Sequence, residues 1–199
     1  MRLGMVIDLK RCIGCQACTM ACKLENATPP GVFWARCLEK ETGKYPQAKR
    51  VFVPVLCNHC QDAPCLRACP TGATTQREDG IVNVDQNTCI GCKACMEACP
   101  YEARSYLEEI NGYYPGHITP FEEVGYKKHQ KGTVSKCNFC KDRIEQGLEP
   151  ACVQTCPAVA RTFGDLDDPN SEVSRLIRER YTIQLRPEMG TRPSVYYIP

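Results

Sequence analysis

Seventeen cysteines in a chain of 199 residues constrain this sequence more than any other feature, because sixteen of them fall into four groups of four. Groups one and three read C-x2-C-x2-C-x3-C, the ligand spacing of bacterial ferredoxins, and groups two, three and four end in Cys-Pro. The spacing predicts that sixteen thiolates hold four 4Fe–4S clusters and that the chain transfers electrons. Cys37 is left over, and we predict that it is a buried thiol. In chain order the groups are Cys12-Cys15-Cys18-Cys22, Cys57-Cys60-Cys65-Cys69, Cys89-Cys92-Cys95-Cys99 and Cys137-Cys140-Cys152-Cys156.

Disulfides and zinc are the alternatives for so many cysteines. Disulfides within C-x2-C pairs would close very small, strained loops, and disulfide scaffolds are usually chains too short to build a core. Group four on its own would pass as a zinc site, but groups one and three lack the two separated pairs that zinc sites favour. We therefore predict clusters. A zinc-stabilised binding module is the alternative of a different class, and analysis of metal and labile sulfide distinguishes it.

The rest of the sequence offers no substrate chemistry. It contains no Gly-rich nucleotide loop, no zincin helix and no plausible nucleophile–base pair, so we predict a non-catalytic component with no direct small-molecule substrate. A formal net charge of +2 gives no general attraction to nucleic acid. No apolar run is long enough to cross a bilayer, and the first residues lack a signal-peptide pattern, so we expect any export to depend on a partner.

The chain contains an internal duplication. Residues 8–22 and 85–99, displaced by 77 positions, are identical at nine of fifteen positions. Groups two and four also match, with CNHCQD beside CNFCKD at a displacement of 80. Each half therefore holds one tight group and one looser group.

The short gap between groups two and three predicts how the groups pair. It contains Gly80 followed by an alternating stretch, which resembles the hairpin between the two ligand runs of a bacterial ferredoxin. Groups two and three should form one ferredoxin-like module, which leaves groups one and four for the other. The predicted fold class is α+β with two nested modules. Its parts are an outer module (1–30 and 131–165), an inner module (56–105), crossovers (31–55 and 106–130) and a C-terminal helix with a docking tail (166–199).

The crossovers and the C-terminal region have their own patterns. Residues 32–37 and 50–55 indicate two strands of a β-hairpin around a turn at 42–44. Asn170-Ser171 is a predicted cap for a helix through Tyr181, with Leu176, Ile177 and Tyr181 on its apolar side. The last fourteen residues predict an extended, docked tail, because residues 195–198 are too apolar to be left in water.

Four other side chains lie close to the cysteines in sequence. We expect His59 to have a hydrogen-bonding or surface role, because its group already has four cysteines. Lys93 and Lys136 could each raise a cluster potential or meet a partner, and a solvated lysine is an equally good interpretation. Trp34, in a predicted strand, is expected to pack in the core.

Taken together, the four groups resemble those of a known family, the iron–sulfur electron-transfer subunits of membrane-associated molybdopterin oxidoreductases. This family serves dimethyl sulfoxide, polysulfide, thiosulfate and nitrate reductases and formate dehydrogenase. The motifs that carry the resemblance are CIGCQACTMAC, CNHCQDAPCLRACP, CIGCKACMEACP and GTVSKCNFCKDRIEQG, followed by PACVQTCP. The likeness covers nearly the whole chain, and the polysulfide reductase subunit is the closest match that we expect.

The resemblance implies one ligand set for each of four 4Fe–4S clusters, called sites 1 to 4 below. The sets are Cys12, Cys15, Cys18 and Cys156 (site 1); Cys22, Cys137, Cys140 and Cys152 (site 2); Cys57, Cys60, Cys65 and Cys99 (site 3); and Cys69, Cys89, Cys92 and Cys95 (site 4).

The resemblance also implies partners and a location. Site 1 would face a molybdopterin-containing catalytic subunit, and site 4 a quinol-binding integral membrane subunit. The complex would be peripheral on the outer, periplasmic face of the cytoplasmic membrane, exported with a partner that carries the signal. The competing interpretation is a soluble polyferredoxin that serves a hydrogenase or a cytoplasmic dehydrogenase, and co-purification distinguishes the two.

Overall fold

A three-stranded sheet joins regions from both ends of the chain in the computed structural model, which describes residues 1–199. The strands are β1 Leu3–Asp8, β2 Ala35–Thr42, β3 Lys49–Leu56, β4 Thr74–Gln76, β5 Val82–Val84, β6 Ser105–Tyr106, β7 Val134–Ser135, β8 Arg161–Asp165 and β9 Val195–Ile198. The α-helices are α1 Ala17–Asn26, α2 Pro64–Arg67, α3 Ala94–Glu97, α4 Pro120–Gly125, α5 Lys141–Ile144, α6 Ala151–Gln154 and α7 Glu172–Glu179. Short 3-10 helices cover Tyr126–Lys128 and Pro187–Met189.

Strand β1 is the centre of the three-stranded sheet. It pairs antiparallel with β8 and parallel with β9, so that Met5 lies opposite both Phe163 and Val195. Its apolar residues are almost completely buried, and they form the main core with residues from the other two strands. The sheet therefore closes the outer module with residues that lie far apart in sequence.

The last strand of the tail is part of this sheet. Val195 and Tyr197 are buried within the chain, and the Tyr197 hydroxyl donates to the Pro54 carbonyl at 3.0 Å. Just before β9, the backbone of Ser194 donates to the Asn58 carbonyl at 2.8 Å. The tail therefore ends in an extended segment, as predicted, and residues 195–198 pack mainly on their own chain.

Each of the two predicted modules contains a pair of helices that pack together. In the outer module α1 packs against α6, and in the inner module α2 packs against α3. Strands β4 and β5 form the antiparallel hairpin predicted between groups two and three, and Gly80 adopts a φ of 83° in its turn. A positive φ is the backbone conformation that glycine adopts without steric cost.

Each crossover adds a hairpin or a helix. Strands β2 and β3 form the predicted hairpin in the first crossover, and both extend further toward the turn than the sequence indicates. The second crossover contains α4, which begins with a capping box: the Glu122 backbone N–H donates to the Thr119 hydroxyl, and the Glu122 carboxylate accepts from the Thr119 backbone N–H. Strands β6 and β7 bring this crossover back to group four.

Helix α7 begins where predicted and ends earlier. The Ser171 hydroxyl accepts a hydrogen bond from the Ser174 backbone N–H at 3.2 Å, as an N-cap should. Leu176 and Ile177 pack against buried Val6, as predicted for the apolar side. The extension to Tyr181 is wrong, because the backbone turns extended at Arg180 and leaves Tyr181 77% exposed.

Candidate functional site

Three cavities in the structure are each lined by one of the cysteine sets. Their volumes, including the solvent at their mouths, are about 340, 310 and 300 Å³. The first is lined by Cys12, Cys15, Cys18 and Cys156 (site 1), the second by Cys57, Cys60, Cys65 and Cys99 (site 3), and the third by Cys69, Cys89, Cys92 and Cys95 (site 4).

The remaining set meets in the core of the outer module. Cys22 and Cys137 are buried, and so are Cys140 and Cys152. Burial is the main cause that raises the pKa of the Cys22 thiol, and the negative charges of Cys152 and Cys140 raise it further. Burial likewise raises the pKa of the Cys140 thiol to about 11, and Cys152 adds to this effect. Site 2 therefore brings four thiols close enough to repel one another as thiolates.

The geometry suits a multinuclear cluster better than a single ion. The sulfurs of sites 1, 3 and 4 lie around the walls of cavities. A zinc site needs its sulfurs at about 2.3 Å from a common centre. A 4Fe–4S cluster needs four thiolates around a cube, which is the donor set that each site offers.

The loops of groups one and three have the same backbone conformation. Gly14 and Gly91 adopt φ values of 68° and 69°, and Gln16 and Lys93, two residues later, adopt 61° and 62°. These left-handed residues end the loop, and α1 and α3 begin immediately afterwards. The third cysteine of each group, Cys18 or Cys95, therefore lies in the first turn of a helix. The duplicated sequence thus produces a duplicated loop.

Backbone and side-chain donors point at several sulfurs. The Thr74 N–H lies 3.4 Å from the Cys69 sulfur, and the Ala160 N–H lies 3.3 Å from the Cys156 sulfur. Burial raises the pKa of the Cys69 thiol, but hydrogen bonds from Thr74 and Thr71 outweigh burial and lower it to about 7. Such bonds stabilise the thiolate form that binds metal.

Only two of the seventeen cysteines are exposed, one in site 1 and one in site 4. They are Cys15 in site 1 and Cys92 in site 4, which occupy equivalent positions in the duplicated groups. The neighbouring Ile13 and Ile90 are also exposed. Sites 2 and 3 contain no exposed cysteine. Sites 1 and 4 are therefore the two sites that each have a cysteine and a neighbouring isoleucine exposed.

Two of the four side chains near the cysteines are less solvated than the sequence indicates. His59 is fully buried, stacks on Phe139 with ring centroids 3.8 Å apart, and accepts from the Val82 N–H at 3.0 Å. Burial holds the pKa of His59 well below its usual value, and the positive charges of Lys136 and Arg104 lower it further. The hydrogen-bonding role of His59 is confirmed, and the surface role is wrong.

Lys136 is also buried, so the interpretation of Lys136 as a solvated lysine is wrong. Its ammonium donates to the carbonyls of Val82 and Cys137.

Lys93 is solvated and Trp34 packs in the core, as one interpretation of each residue predicts. Lys93 is exposed, and its ammonium lies 4.0 Å from the centre of the Tyr106 ring. Trp34 packs against the main core, and its indole N–H donates to the Ser135 hydroxyl at 3.0 Å.

Comparisons with known proteins identify the type of chain that carries these sites. The profile of the 4Fe–4S dicluster domain family matches residues 48–113 and 117–166, and that of a 4Fe–4S binding domain matches residues 3–24. The chain is 41% identical to the arsenate respiratory reductase iron–sulfur subunit of a Shewanella species, over 100% of this chain and 96% of that one. It is 42% identical to a tetrathionate reductase subunit of Salmonella typhimurium, over 99% and 72%. It is also 43% identical to a selenate reductase subunit of Mesobacillus selenatarsenatis, over 98% and 70%.

The chain belongs to the iron–sulfur subunits of molybdopterin reductases. As a member of this family it is an electron-transfer component of an oxidoreductase complex and not its catalytic subunit. The expected match to the polysulfide reductase subunit stays a prediction, since these relatives serve other reductases. None of the seven α-helices of this iron–sulfur subunit is long and apolar enough to span a membrane.

One cysteine of this iron–sulfur subunit is placed differently from its prediction. Cys37, on β2, is half-buried and lines the same cavity as the site 1 cysteines. Burial, together with the negative charges of Cys12 and Cys18, raises the pKa of the Cys37 thiol to about 12. The predicted buried thiol is therefore only partly buried. It lies at site 1 because the hairpin of β2 and β3 contacts the loop of group one, where the Gln16 side-chain amide donates to the Cys37 carbonyl at 3.2 Å. Sequence spacing gave no signal for this, since Cys37 belongs to none of the groups.

Proposed function

We propose that this subunit carries four 4Fe–4S clusters, one in each of sites 1 to 4. A bound cluster of this kind takes up and releases an electron. The observation that carries the proposal is that three separate cavities are each lined by all four cysteines of one set, and that the four cysteines of the remaining set are buried, three of them in one core cluster. Cysteines from sequence groups one and four contribute to sites 1 and 2, and cysteines from groups two and three contribute to sites 3 and 4.

We further propose that electrons enter at site 4 and leave at site 1. Support comes from exposure, because Cys92 and Cys15 are the only exposed cysteines and belong to these two sites. In this arrangement a quinol-oxidising membrane subunit docks beside site 4 and a molybdopterin catalytic subunit docks beside site 1. The exposed Ile90 and Ile13 then supply apolar contacts at the two docking surfaces.

The reductase would be respiratory and anaerobic, with polysulfide or thiosulfate as the terminal substrate. The resemblance of the sequence to the polysulfide reductase subunit supports this branch. The relatives described above belong to arsenate, selenate and tetrathionate reductases. The subunit would lie peripherally on the outer face of the cytoplasmic membrane, exported with its catalytic partner.

Replacing one site 4 ligand tests the assignment and the electron order together. In the purified complex, the Cys95→Ser variant should lose or convert one cluster and lose turnover with quinol, while turnover with artificial electron donors that reach the molybdenum site directly continues. Met96→Leu, at the next position of α3, is the matched control and should keep both activities. Unimpaired quinol-linked turnover in the Cys95→Ser complex would show that the electron order is wrong.

Chemical analysis tests the cluster number independently. Anaerobically prepared protein should contain about sixteen irons and as many sulfides per chain, which is four for each of four clusters. Zinc without labile sulfide would instead establish the zinc-stabilised module. A chain that purifies alone and accepts electrons only from soluble donors would favour the polyferredoxin alternative.

A further inference from the structure

Two buried arginines occupy equivalent positions in the two modules. Arg104 and Arg161 are each the fifth residue after the last cysteine of a group, within the shared sequence Cys-Pro-x-x-Ala-Arg. Their side chains are almost completely enclosed, since Arg104 is 6% exposed and Arg161 is 2% exposed. Arginine is rarely buried to this extent unless a negative charge lies beside it. The repetition of such an unusual residue in both modules points to a shared role.

Neither arginine has a carboxylate partner. No salt bridge of the chain includes either residue. Nη1 of Arg104 donates to the Thr74 hydroxyl at 3.2 Å, and Nη1 of Arg161 lies 3.5 Å from the Met5 sulfur. Nη2 of each guanidinium is buried without any hydrogen-bond partner in the protein. A buried guanidinium cannot lose its proton, so its charge and its free N–H groups require a negative acceptor.

The thiol groups beside Arg161 belong to the two sites of the outer module. The residue lines the cavity of site 1 together with Cys12 and Cys156. Its Nη1 also lies 3.7 Å from the sulfur of Cys152, which is a site 2 cysteine. The guanidinium is therefore located between sites 1 and 2.

Arg104 has the corresponding place in the inner module. It lines the cavity of site 3 together with Cys57 and Cys65. Its Nη1 donates to the hydroxyl of Thr74, which lines the cavity of site 4 and whose backbone N–H lies 3.4 Å from the Cys69 sulfur of that site. Because Cys65 belongs to site 3 and Thr74 lines site 4, this guanidinium too is located between the two sites of its module.

We propose that Arg104 and Arg161 are internal counter-charges that raise the reduction potentials of the two clusters in their own module. The proposal rests on the four-cluster function proposed above. Each electron that enters a module adds one negative charge, and a fixed positive charge in a low-dielectric interior stabilises it without any proton uptake. Net charge and hydrogen bonds to the sulfurs are known determinants of cluster potential. The unpaired Nη2 atoms supply the hydrogen bonds, and the two guanidinium groups supply the charge.

Redox titrations of two variants test the proposal. The purified complex is titrated anaerobically while its EPR signals are followed, and signals are assigned with Cys12→Ser for site 1 and Cys95→Ser for site 4. Arg161→Gln should lower the midpoint potentials of sites 1 and 2 and leave those of sites 3 and 4 unchanged. Arg104→Gln should do the reverse, so each variant is the matched control for the other. Arg→Lys at either position keeps the positive charge, so the midpoint potentials of the two clusters in that module should stay close to those of the unaltered protein.

Each outcome decides for or against the proposal. Unchanged potentials in a variant with full iron and sulfide content would overturn it, and so would an equal shift of all four signals. If a glutamine variant does not retain its iron, the corresponding lysine variant decides. If the lysine variant regains its iron and its midpoint potentials, the positive charge is what matters, which supports the proposal. If the lysine variant also loses its iron, only the shape of arginine matters, which overturns the proposal. A low iron content in the unaltered protein would instead overturn the proposed four-cluster function.

Discussion

The inner and outer modules contain the same duplicated ligand groups, yet the chain completes them in opposite ways. The inner module is one continuous stretch, closed by the short hairpin of β4 and β5. The outer module takes residues from both ends of the sequence, and the sheet β8-β1-β9 closes it. The difference shows that the duplication fixes the loops that hold cysteines, while separate segments supply the framework around them. Stability should therefore depend on distant residues in the outer module and on local ones in the inner module.

The largest expected effect is at Tyr197, where β9 completes the outer module. Tyr197→Ala removes a buried aromatic ring and leaves the Pro54 carbonyl without its donor, so we expect a loss of about 3–5 kcal/mol in unfolding free energy. The clusters of sites 1 and 2 should be released at lower denaturant concentration than those of sites 3 and 4, as followed by visible absorption and EPR. Tyr181→Ala, at an exposed tyrosine, is the control. Simultaneous release of all four clusters would contradict independent modules.

Two equivalent glycines should differ in their tolerance of alanine. A Cβ at Gly14 would meet the ring of Phe52, which can rotate, whereas one at Gly91 would meet the backbone carbonyl of Gly132, which cannot. Both variants require a left-handed alanine, which costs about 1–2 kcal/mol, and we expect Gly91→Ala to cost about 1–3 kcal/mol more from overpacking. Gly116→Ala has a positive φ in open space and isolates the backbone contribution in the same denaturation experiment. Equal losses for Gly14→Ala and Gly91→Ala would mean that the loop environments are as similar as the loop sequences.

Acid should weaken the outer module through His129. This side chain is buried beside Trp34 and Lys128, and its Nε2 lies 2.8 Å from the Asn26 carbonyl at the end of α1. Burial lowers the pKa of His129 in the folded state. As the pH decreases below about 6.5, the unfolded chain therefore binds the proton more readily than the folded chain, and the free energy of unfolding decreases. His129→Gln should reduce the slope of unfolding free energy against pH by at most about 1.4 kcal/mol per unit. An unchanged slope between pH 7 and 5 would exclude this contribution.

The smallest expected effect concerns an ion pair that joins the modules. Arg77 of the inner module contacts Glu145 of the outer module at 2.6 Å, and both side chains are substantially exposed. A double-mutant cycle with Arg77→Gln and Glu145→Gln should give a coupling energy below about 1 kcal/mol that decreases further in high salt. A much larger coupling would mean that the modules depend on this surface contact for their association.

Local sequence patterns were enough to predict the cysteine groups and both hairpins, because spacing and turn residues act over short distances. The pairing of β9 with β1 could not be predicted, since no pattern in residues 195–198 specifies a partner almost 190 positions away. A solvated Lys136 was an equally good interpretation because charged residues are usually exposed, and the burial of Arg104 and Arg161 follows only from the structure. A comparison of groups three and four past their last cysteines would have found the shared Cys-Pro-x-x-Ala-Arg sequence, although the duplication pairs these groups with groups one and two.

The segment just before β9 has a consequence for biosynthesis. The carbonyls of Thr191 and Arg192 accept hydrogen bonds from the backbone of Asp62 and Gln61, so this segment covers the ligand loop of group two before the chain enters the outer sheet. On the ribosome, the inner module can close once residue 105 has emerged, whereas β9 follows about 5–20 s later at ordinary rates of synthesis. We expect nascent chains to acquire iron in the inner module first, while the loop of group two is still open to the proteins that deliver clusters.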